Sequence, residues 1–192
     1  MDPVLIMLAG PNGAGKSTFH RVYLSALQLP FLNADVLRAS TGMGVYEAAS
    51  QTTAIRRLMV ERGQSFVTET VLSDPVGEKV EFLAGAVEAG FDVQLIFIGI
   101  EDSAMAVKRV KSRVKRGGHS VPEEKIVARY LRNLDNLERA IALLPRVTIY
   151  DNSSYETPFR LLGEFRSGEV FQKTLERIPV WAERFFSGEG GV

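Results

Sequence analysis

The sequence predicts an α/β fold, with helices on both faces of a mostly parallel, five-stranded sheet. Five short apolar runs, rich in β-branched and aromatic residues, alternate along the chain with amphipathic stretches of helical length. Strands that alternate with helices are joined by right-handed crossovers and become parallel neighbours in a sheet. The 192 residues are 45% hydrophobic and 24% charged, which is typical of one globular domain, and we expect residues 1–192 to form it.

The predicted strands cover 4–9, 31–33, 66–68, 93–98 and 147–149. The predicted helices cover 46–62, 75–89, 102–116 and 120–144. In the last of them, Ser120 and Glu123 match a capping box, Pro122 suits the first turn, and Pro145 ends the helix. Beyond the last strand, the looser pattern predicts a C-terminal helical extension over about 155–187.

The charges of the chain balance, with 23 Lys and Arg against 23 Asp and Glu. A protein that binds nucleic acid over its whole surface would have a clear basic excess, so a nucleic-acid partner is not expected. No cysteine is present, which excludes disulfides and thiolate metal sites. The apolar run at 4–9 is too short for a signal peptide or a membrane span. We therefore expect a cytoplasmic protein with no membrane attachment.

A glycine-rich phosphate-binding motif follows the first predicted strand. It reads Gly10-Pro11-Asn12-Gly13-Ala14-Gly15-Lys16-Ser17 and fits the P-loop pattern G-x-x-x-x-G-K-[ST] in its required place between a strand and a helix. Glycines let successive N–H groups point at phosphate oxygens beside a helix N-terminus. Lys16 would reach the β and γ phosphates, and the Ser17 hydroxyl would hold Mg²⁺. The motif therefore predicts binding of a nucleoside triphosphate.

Other segments narrow the class of P-loop protein. The sequence has neither the Asn-Lys-x-Asp segment of a GTPase nor the Leu-Ser-Gly-Gly signature of an ABC transporter ATPase. Strand 66–68 leads into Glu69-Thr70, a weak approximation to the acidic strand end of a motor ATPase. The remaining class is the small kinases, which need an acceptor site at the strand ends and a cationic lid over the phosphates.

A cationic helix after the fourth strand is the candidate lid, over about 102–122. Helical spacing places its arginines on one stripe, its lysines on a second and its valines on a third; the arginines are Arg109, Arg113 and Arg116. Arginine suits bidentate phosphate contact, and Gly117-Gly118 would serve as a hinge. Arg129, on the next helix, could join this group. The alternative is a charged surface helix that ends at the glycines.

The candidate acceptor site lies where two strands end. Asp35 follows the second strand, with Arg38 one turn further on, and phosphorylation of a hydroxyl requires a carboxylate to orient the hydroxyl and take its proton. A helix N-cap is the alternative role for Asp35. Glu69, beside Thr70, would bind substrate hydroxyls or a Mg²⁺ water, or merely cap a helix. His119 is either a phosphate donor in the lid or a simple loop residue.

Together these segments resemble the zeta toxin family, and in particular its small, stand-alone branch of predicted ATPases. The resemblance covers about residues 1–154. It rests on Gly10 to Thr18, Asn33-x-Asp35, Thr68-Glu69-Thr70, Leu95 to Gly99, the lid string from Arg109 through Gly117-Gly118-His119-x-Val121-Pro122, Arg129-Tyr130, and Tyr150 to Ser153.

The resemblance implies an ATP-dependent kinase that phosphorylates the sugar of UDP-N-acetylglucosamine, poisons cell-wall precursor synthesis and is restrained by a separate antitoxin protein. Its implied site residues fall into four groups. Gly10 to Thr18, Arg109 and Arg113 bind ATP; Ser17 holds Mg²⁺; Asp35, Arg38, Glu69 and Thr70 bind the acceptor; and Lys16, Asp35, Arg116 and Arg129 are catalytic. The alternatives are a kinase for another small metabolite or a nucleic-acid end, and a slow ATPase that acts as a regulatory module.

Overall fold

A seven-stranded mixed sheet forms the centre of the computed structural model, which describes residues 2–174 and 177–187. Its strands are β1 Val4–Ala9, β2 Phe31–Leu32, β3 Phe66–Glu69, β4 Asp92–Gly99, β5 Val147–Asp151, β6 Arg160–Arg166 and β7 Glu169–Lys173. They lie in the order β2-β3-β1-β4-β5-β6-β7. The five predicted strands are confirmed, and all of them are parallel neighbours.

The centre of the sheet is apolar on both faces. Strand β1 pairs with β3 and β4, and the successive β4 residues Leu95 to Ile98 are all buried. Burial of consecutive residues, whose side chains point to opposite faces, means that both faces are covered, as in other parallel sheets. The parallel direction brings the carboxyl ends of β1, β2, β3 and β4 to one edge, where the candidate site lies.

Four helices of the described residues, over 45–61, 78–88, 103–115 and 123–143, agree closely with the predicted ranges, and the helix over 34–41 was not predicted. The full set of helices is α1 Lys16–Phe19, which continues as a π-helix over His20–Leu24 and a 3-10 turn over Ser25–Leu27, then α2 Ala34–Thr41, α3 Val45–Glu61, α4 Glu78–Glu88, α5 Ser103–Lys115, α6 Glu123–Leu143, a 3-10 turn over Val180–Ala182 and α7 Glu183–Phe186. Within these described residues, no helix is both long enough and apolar enough to span a membrane.

The start of α6 differs from the prediction. The helix begins at Glu123 with Pro122 as its N-cap residue, and no side chain caps it, so the capping box of Ser120 and Glu123 is wrong. Proline disfavours helical backbone in the residue before it, which keeps Val121 outside the helix. Ser120 therefore lies two residues too early to cap α6.

The predicted C-terminal helical extension is wrong over most of its length. Residues 160–166 and 169–173 form an antiparallel hairpin that adds β6 and β7 to the sheet beside β5. Its two-residue turn, Ser167-Gly168, has φ values of 49° and 88°. Two successive positive φ values are typical of the type I′ turn, whose twist matches that of the flanking strands. Helical structure remains in the described C-terminal residues only at Val180–Ala182 and Glu183–Phe186.

The C-terminal segment is anchored on a buried carboxylate. Asp151, at the end of β5, is fully buried and accepts hydrogen bonds from Arg160 Nη2 at 2.6 Å and Trp181 Nε1 at 3.1 Å. The Trp181 ring packs on Gly99, where a Cβ atom would lie only 2.1 Å from Cη2 of the indole. Contacts to Asp151 and Gly99 thus fasten the chain beyond β5 to the ends of β4 and β5.

Candidate active site

The P-loop has the backbone that its glycines predict. Gly10, Gly13 and Gly15 have φ values of 135°, 76° and 94°. At Gly10, a Cβ atom would lie 2.1 Å from the main-chain oxygen of Ile98, so only glycine fits beside β4. Lys16 donates hydrogen bonds to the carbonyl oxygens of Gly10 at 2.9 Å and Pro11 at 3.0 Å. The Lys16 side chain is therefore held against the backbone at the start of the same loop.

The ammonium group of Lys16 is surrounded by the other predicted site residues. Burial lowers the pKa of Lys16, while the carboxylate of Glu69 raises it, Arg113 lowers it and Asp35 raises it. These charges come from β3, the lid helix α5 and the acceptor helix α2. The fold thus brings the P-loop, the end of β3, α5 and α2 close together.

Glu69 is hydrogen-bonded to the P-loop. Its Oε2 atom accepts from Ser17 Oγ and from Asn33 Nδ2, both at 2.8 Å, and its Oε1 atom lies 4.0 Å from Lys16 Nζ. A hydroxyl and a carboxylate oxygen are hard donors of the kind that Mg²⁺ prefers. No group of three or more ligating side chains occurs in the part of the chain that the structure describes, so a bound Mg²⁺ would depend on phosphate and water for its other ligands. Ser17 and Glu69 fit that arrangement.

Asp35 is not the N-cap residue of α2. The N-cap of α2 is Asn33, whose Oδ1 atom accepts from the backbone N–H groups of Asp35 at 2.7 Å and Val36 at 3.3 Å. The capping alternative for Asp35 is therefore wrong. Its exposed carboxylate lies in the first turn of α2 and lines the cavity beside the P-loop.

A cavity of about 480 Å³ adjoins the P-loop. Its walls come from α2, α3, the segment after β3, the start of α4, the lid turn and α6. The predicted residues Asp35, Arg38, Glu69, Thr70 and Arg129 all line it. Five cationic side chains face three carboxylates around it; the cations are Arg38, Arg56, Arg57, Lys79 and Arg129, and the carboxylates are Asp35, Glu69 and Glu78.

The arginines of the lid helix do not share one environment. Arg109 donates to the carbonyl oxygen of Ser153 at 3.2 Å and stacks on the Tyr155 ring, 4.7 Å from its centroid. Arg113 donates to the carbonyl oxygen of His119 at 2.8 Å and is close enough to affect Lys16. Arg116 is exposed and hydrogen-bonds one turn back on its own helix, so the structure does not bring it to the P-loop.

Sequence reasoning missed Arg56 and gave His119 no definite role. Arg38 Nη1 donates a hydrogen bond to Nδ1 of His119 at 2.7 Å, which joins the turn after α5 to α2. Arg56 is buried on α3 and lines the cavity. A usable signal existed, because Ala48, Thr52 and Arg56 recur every four residues on the buried face of α3.

Asn152 ties the end of β5 to the P-loop. Its side chain donates to the Ala14 carbonyl oxygen at 2.8 Å and accepts from the Phe159 N–H at 3.2 Å. A Cβ atom on Gly15 would lie 2.7 Å from the same side-chain nitrogen. Asn152 therefore helps to fix the position of the P-loop relative to β5.

Comparisons with known proteins agree with this geometry. The family model described as zeta toxin matches residues 1–158. An uncharacterized protein of Haemophilus influenzae is 28% identical over 135 residues, which is 68% of this chain and 94% of that protein.

Two solved structures have the same fold. A chain from the PezAT chromosomal toxin-antitoxin system of Streptococcus pneumoniae superposes with a TM-score of 0.60 at 17% identity, over 99% of this chain and 80% of that one. A chain of the AvrRxo1-ORF1:AvrRxo1-ORF2 complex with ATP superposes with a TM-score of 0.69 at 16% identity, over 97% of this chain. This chain spans 63% of that neighbour, less than two thirds of its length.

Proposed function

This chain belongs to the zeta toxin family, and on that premise we propose that it is a kinase that transfers the γ-phosphoryl group of ATP to a hydroxyl of UDP-N-acetylglucosamine. The observation that carries the proposal is the meeting of Lys16, Glu69 and Asp35 beside one cavity. The P-loop side of this cavity suits a triphosphate, and its α2 side suits a hydroxyl acceptor.

The nucleotide side acts mainly by electrostatics. Backbone N–H groups of the P-loop and the Lys16 ammonium bind phosphate oxygens, for which Lys16 must exchange its present bonds to Gly10 and Pro11. Ser17 and Glu69 would hold Mg²⁺, which when bound neutralises charge on the phosphate oxygens. Arg113 and Arg129 supply further positive charge from the lid and from α6.

The acceptor side supplies the base. Asp35 is exposed to the cavity and has no capping duty, so its carboxylate is free to accept the proton of a substrate hydroxyl. The bond between Arg38 and His119 holds the lid turn over the same helix. Closing the lid would exclude water and favour transfer to the acceptor over hydrolysis.

A transfer assay with labelled ATP tests the proposal. The panel contains UDP-N-acetylglucosamine, simple sugars, nucleosides and RNA ends. We expect label in UDP-N-acetylglucosamine, lost on the order of 10²- to 10⁴-fold in Asp35→Asn, whose affinity for ATP is retained. Asp92→Asn, which removes the same charge from an exposed position at the start of β4, is the control. Label in another acceptor would identify that compound as the substrate in place of UDP-N-acetylglucosamine. Release of free phosphate alone would indicate a regulatory ATPase.

We also propose restraint by a separate antitoxin. The PezAT neighbour is described as part of a toxin-antitoxin system, which supports this. Growth arrest on expression of the wild-type protein, and normal growth with Asp35→Asn, would agree with a toxic kinase. Unimpaired growth with an active wild-type enzyme would show that the kinase is not toxic and so needs no antitoxin, which would contradict this part of the proposal.

A further inference from the structure

Arg56 is a buried cation whose hydrogen-bond partners are neutral. Its side chain is 7% exposed. Its Nε atom donates to Thr68 Oγ1 at 2.6 Å, and its Nη2 atom donates to the main-chain oxygen of Glu69 at 2.8 Å. Among the described residues, no carboxylate forms an ion pair with it. Burial of an uncompensated charge is costly, so such a residue calls for a reason.

The electrostatics of Arg56 agree with a missing counter-charge. Burial lowers its pKa to about 10, and no neighbouring carboxylate offsets that shift. The guanidinium still carries its proton at neutral pH. An anion bound against it would repay part of the lost hydration and strengthen each hydrogen bond, because charge-assisted bonds are the stronger class.

The guanidinium is fixed in place beside the acceptor cavity. The hydroxyl of Thr68 donates in turn to the Leu32 carbonyl oxygen at 2.9 Å, so Arg56 is anchored where β2 and β3 end. Its Nη1 atom has no hydrogen-bond partner within residues 2–174 and 177–187, and the residue lines the cavity. A rigid donor with free N–H groups is preorganised for a ligand.

The cavity around Arg56 has a surplus of positive charge. Arg57 and Lys79 line it as well, and Lys79 is already paired with Asp74 at 3.3 Å. The carboxylate of Glu69, the residue whose main-chain oxygen accepts from Arg56, is committed to Ser17 and Asn33. The surroundings therefore attract an anion and provide none for Arg56.

We infer that Arg56 is a specificity-determining residue that binds a phosphate group of the acceptor and so selects phosphorylated acceptors over neutral ones. This inference rests on the proposed function insofar as the cavity is the acceptor site. The competing explanation is that Arg56 only clamps β3 to β2. A clamp would affect charged and neutral ligands equally, whereas a phosphate contact affects charged ligands alone.

Ligand binding separates the two explanations. The P-loop is first saturated with Mg²⁺ and a non-hydrolysable ATP analogue, and UDP and uridine are then titrated calorimetrically. We expect Arg56→Gln to weaken UDP binding on the order of 10- to 100-fold, the value of a lost charge-assisted bond, while uridine binding changes less than twofold. Arg62→Gln is the control, because it removes the same charge from an exposed position on the same stretch of chain outside the cavity.

Each outcome decides the inference. Equal weakening of UDP and uridine, or failure of the wild-type protein to bind UDP, would overturn it. Selective loss of UDP binding supports it even where no transfer to UDP-N-acetylglucosamine occurs, so failure of the proposed function is seen separately. Thermal melting checks the fold of each variant. If Arg56→Gln does not fold, Arg56→Lys, which keeps the charge and loses the forked donors, should give a smaller loss confined to UDP.

Discussion

Replacing Glu69 with glutamine removes one negative charge from beside Lys16 and preserves the shape of the side chain. Both hydrogen bonds that Glu69 accepts, from Ser17 and from Asn33, end on the same atom, Oε2. A glutamine carbonyl oxygen in that place can accept both of them. The two hydrogen bonds by themselves should therefore change the free energy of unfolding by less than about 1 kcal/mol.

The loss of charge has a larger effect on the site. The Oε1 atom of Glu69 lies 4.0 Å from Lys16 Nζ. Opposite unit charges at that distance attract by about 4 kcal/mol at an effective dielectric constant of 20. That energy corresponds to a factor of about 10³ in how strongly the protonated form of Lys16 is favoured, an upper limit because water and side-chain rearrangement offset part of it. We expect kcat to fall by about 10²- to 10³-fold and the Mg²⁺ concentration for half-maximal activity to rise.

The assay is phosphoryl transfer measured over a range of Mg²⁺ concentrations and pH. Glu69 raises the pKa of Lys16, so its removal should also move the alkaline loss of activity to lower pH. Glu78→Gln is the control, because Glu78 lines the same cavity and makes no hydrogen bond to the P-loop among the described residues. Unchanged kcat and Mg²⁺ dependence in Glu69→Gln would refute the reasoning.

Three further predictions concern the lid, the loop and pH. Arg113→Gln should lower kcat at least tenfold and Arg116→Gln less than twofold, because only the first side chain lies near Lys16; equal effects in the transfer assay would show that the lid rearranges. In urea unfolding, Gly10→Ala should cost more than about 3 kcal/mol because of its main-chain clash, whereas Gly85→Ala, with open space in α4, should stabilise by about 0.5–1 kcal/mol. The kcat/KM for ATP, which reports the free enzyme, should fall on the alkaline side at a lower pH than the 10.5 of an ordinary lysine, because burial lowers the pKa of Lys16 and the phosphate-binding form is the protonated one; a profile of kcat/KM that is flat up to pH 10.5 would contradict this.

The sheet and the P-loop were predictable because their signals are local. A buried parallel strand is a continuous apolar run, and the P-loop is one contiguous motif between a strand and a helix. The hairpin of β6 and β7 gave a weaker signal, since most of the β7 side chains are exposed. The Ser167-Gly168 dipeptide was its one clear marker, and a turn dipeptide between two short runs with Phe165 and Phe171 could have indicated strands.

The lid arginines show the limit of helical periodicity. Spacing groups Arg109, Arg113 and Arg116 on one stripe, but it does not tell which turn of the helix passes the P-loop. In the structure, α5 contacts the P-loop near Gly13, where an added Cβ atom would lie 3.1 Å from Arg109 Cβ. Arg116 is nearly two turns further along α5. Arg56 shows a related limit: its spacing from Ala48 and Thr52 places it on their face of α3, but the burial of its charge also depends on tertiary neighbours.

The carboxylate of Asp151 has a consequence for where the chain can be divided. The match to the family model ends at residue 158, yet Arg160 and Trp181, which donate hydrogen bonds to this buried group, lie beyond that point. A fragment cut there would keep the hydrogen bonds that Ser153 donates to Asp151 but lose those from Arg160 and Trp181, at a cost of roughly 1.5–3 kcal/mol for each hydrogen bond to the charged group. The end of the family match is thus not a boundary of folding, and both the hairpin and Trp181 must accompany the rest of the domain in any truncation, fusion or transplant of this protein.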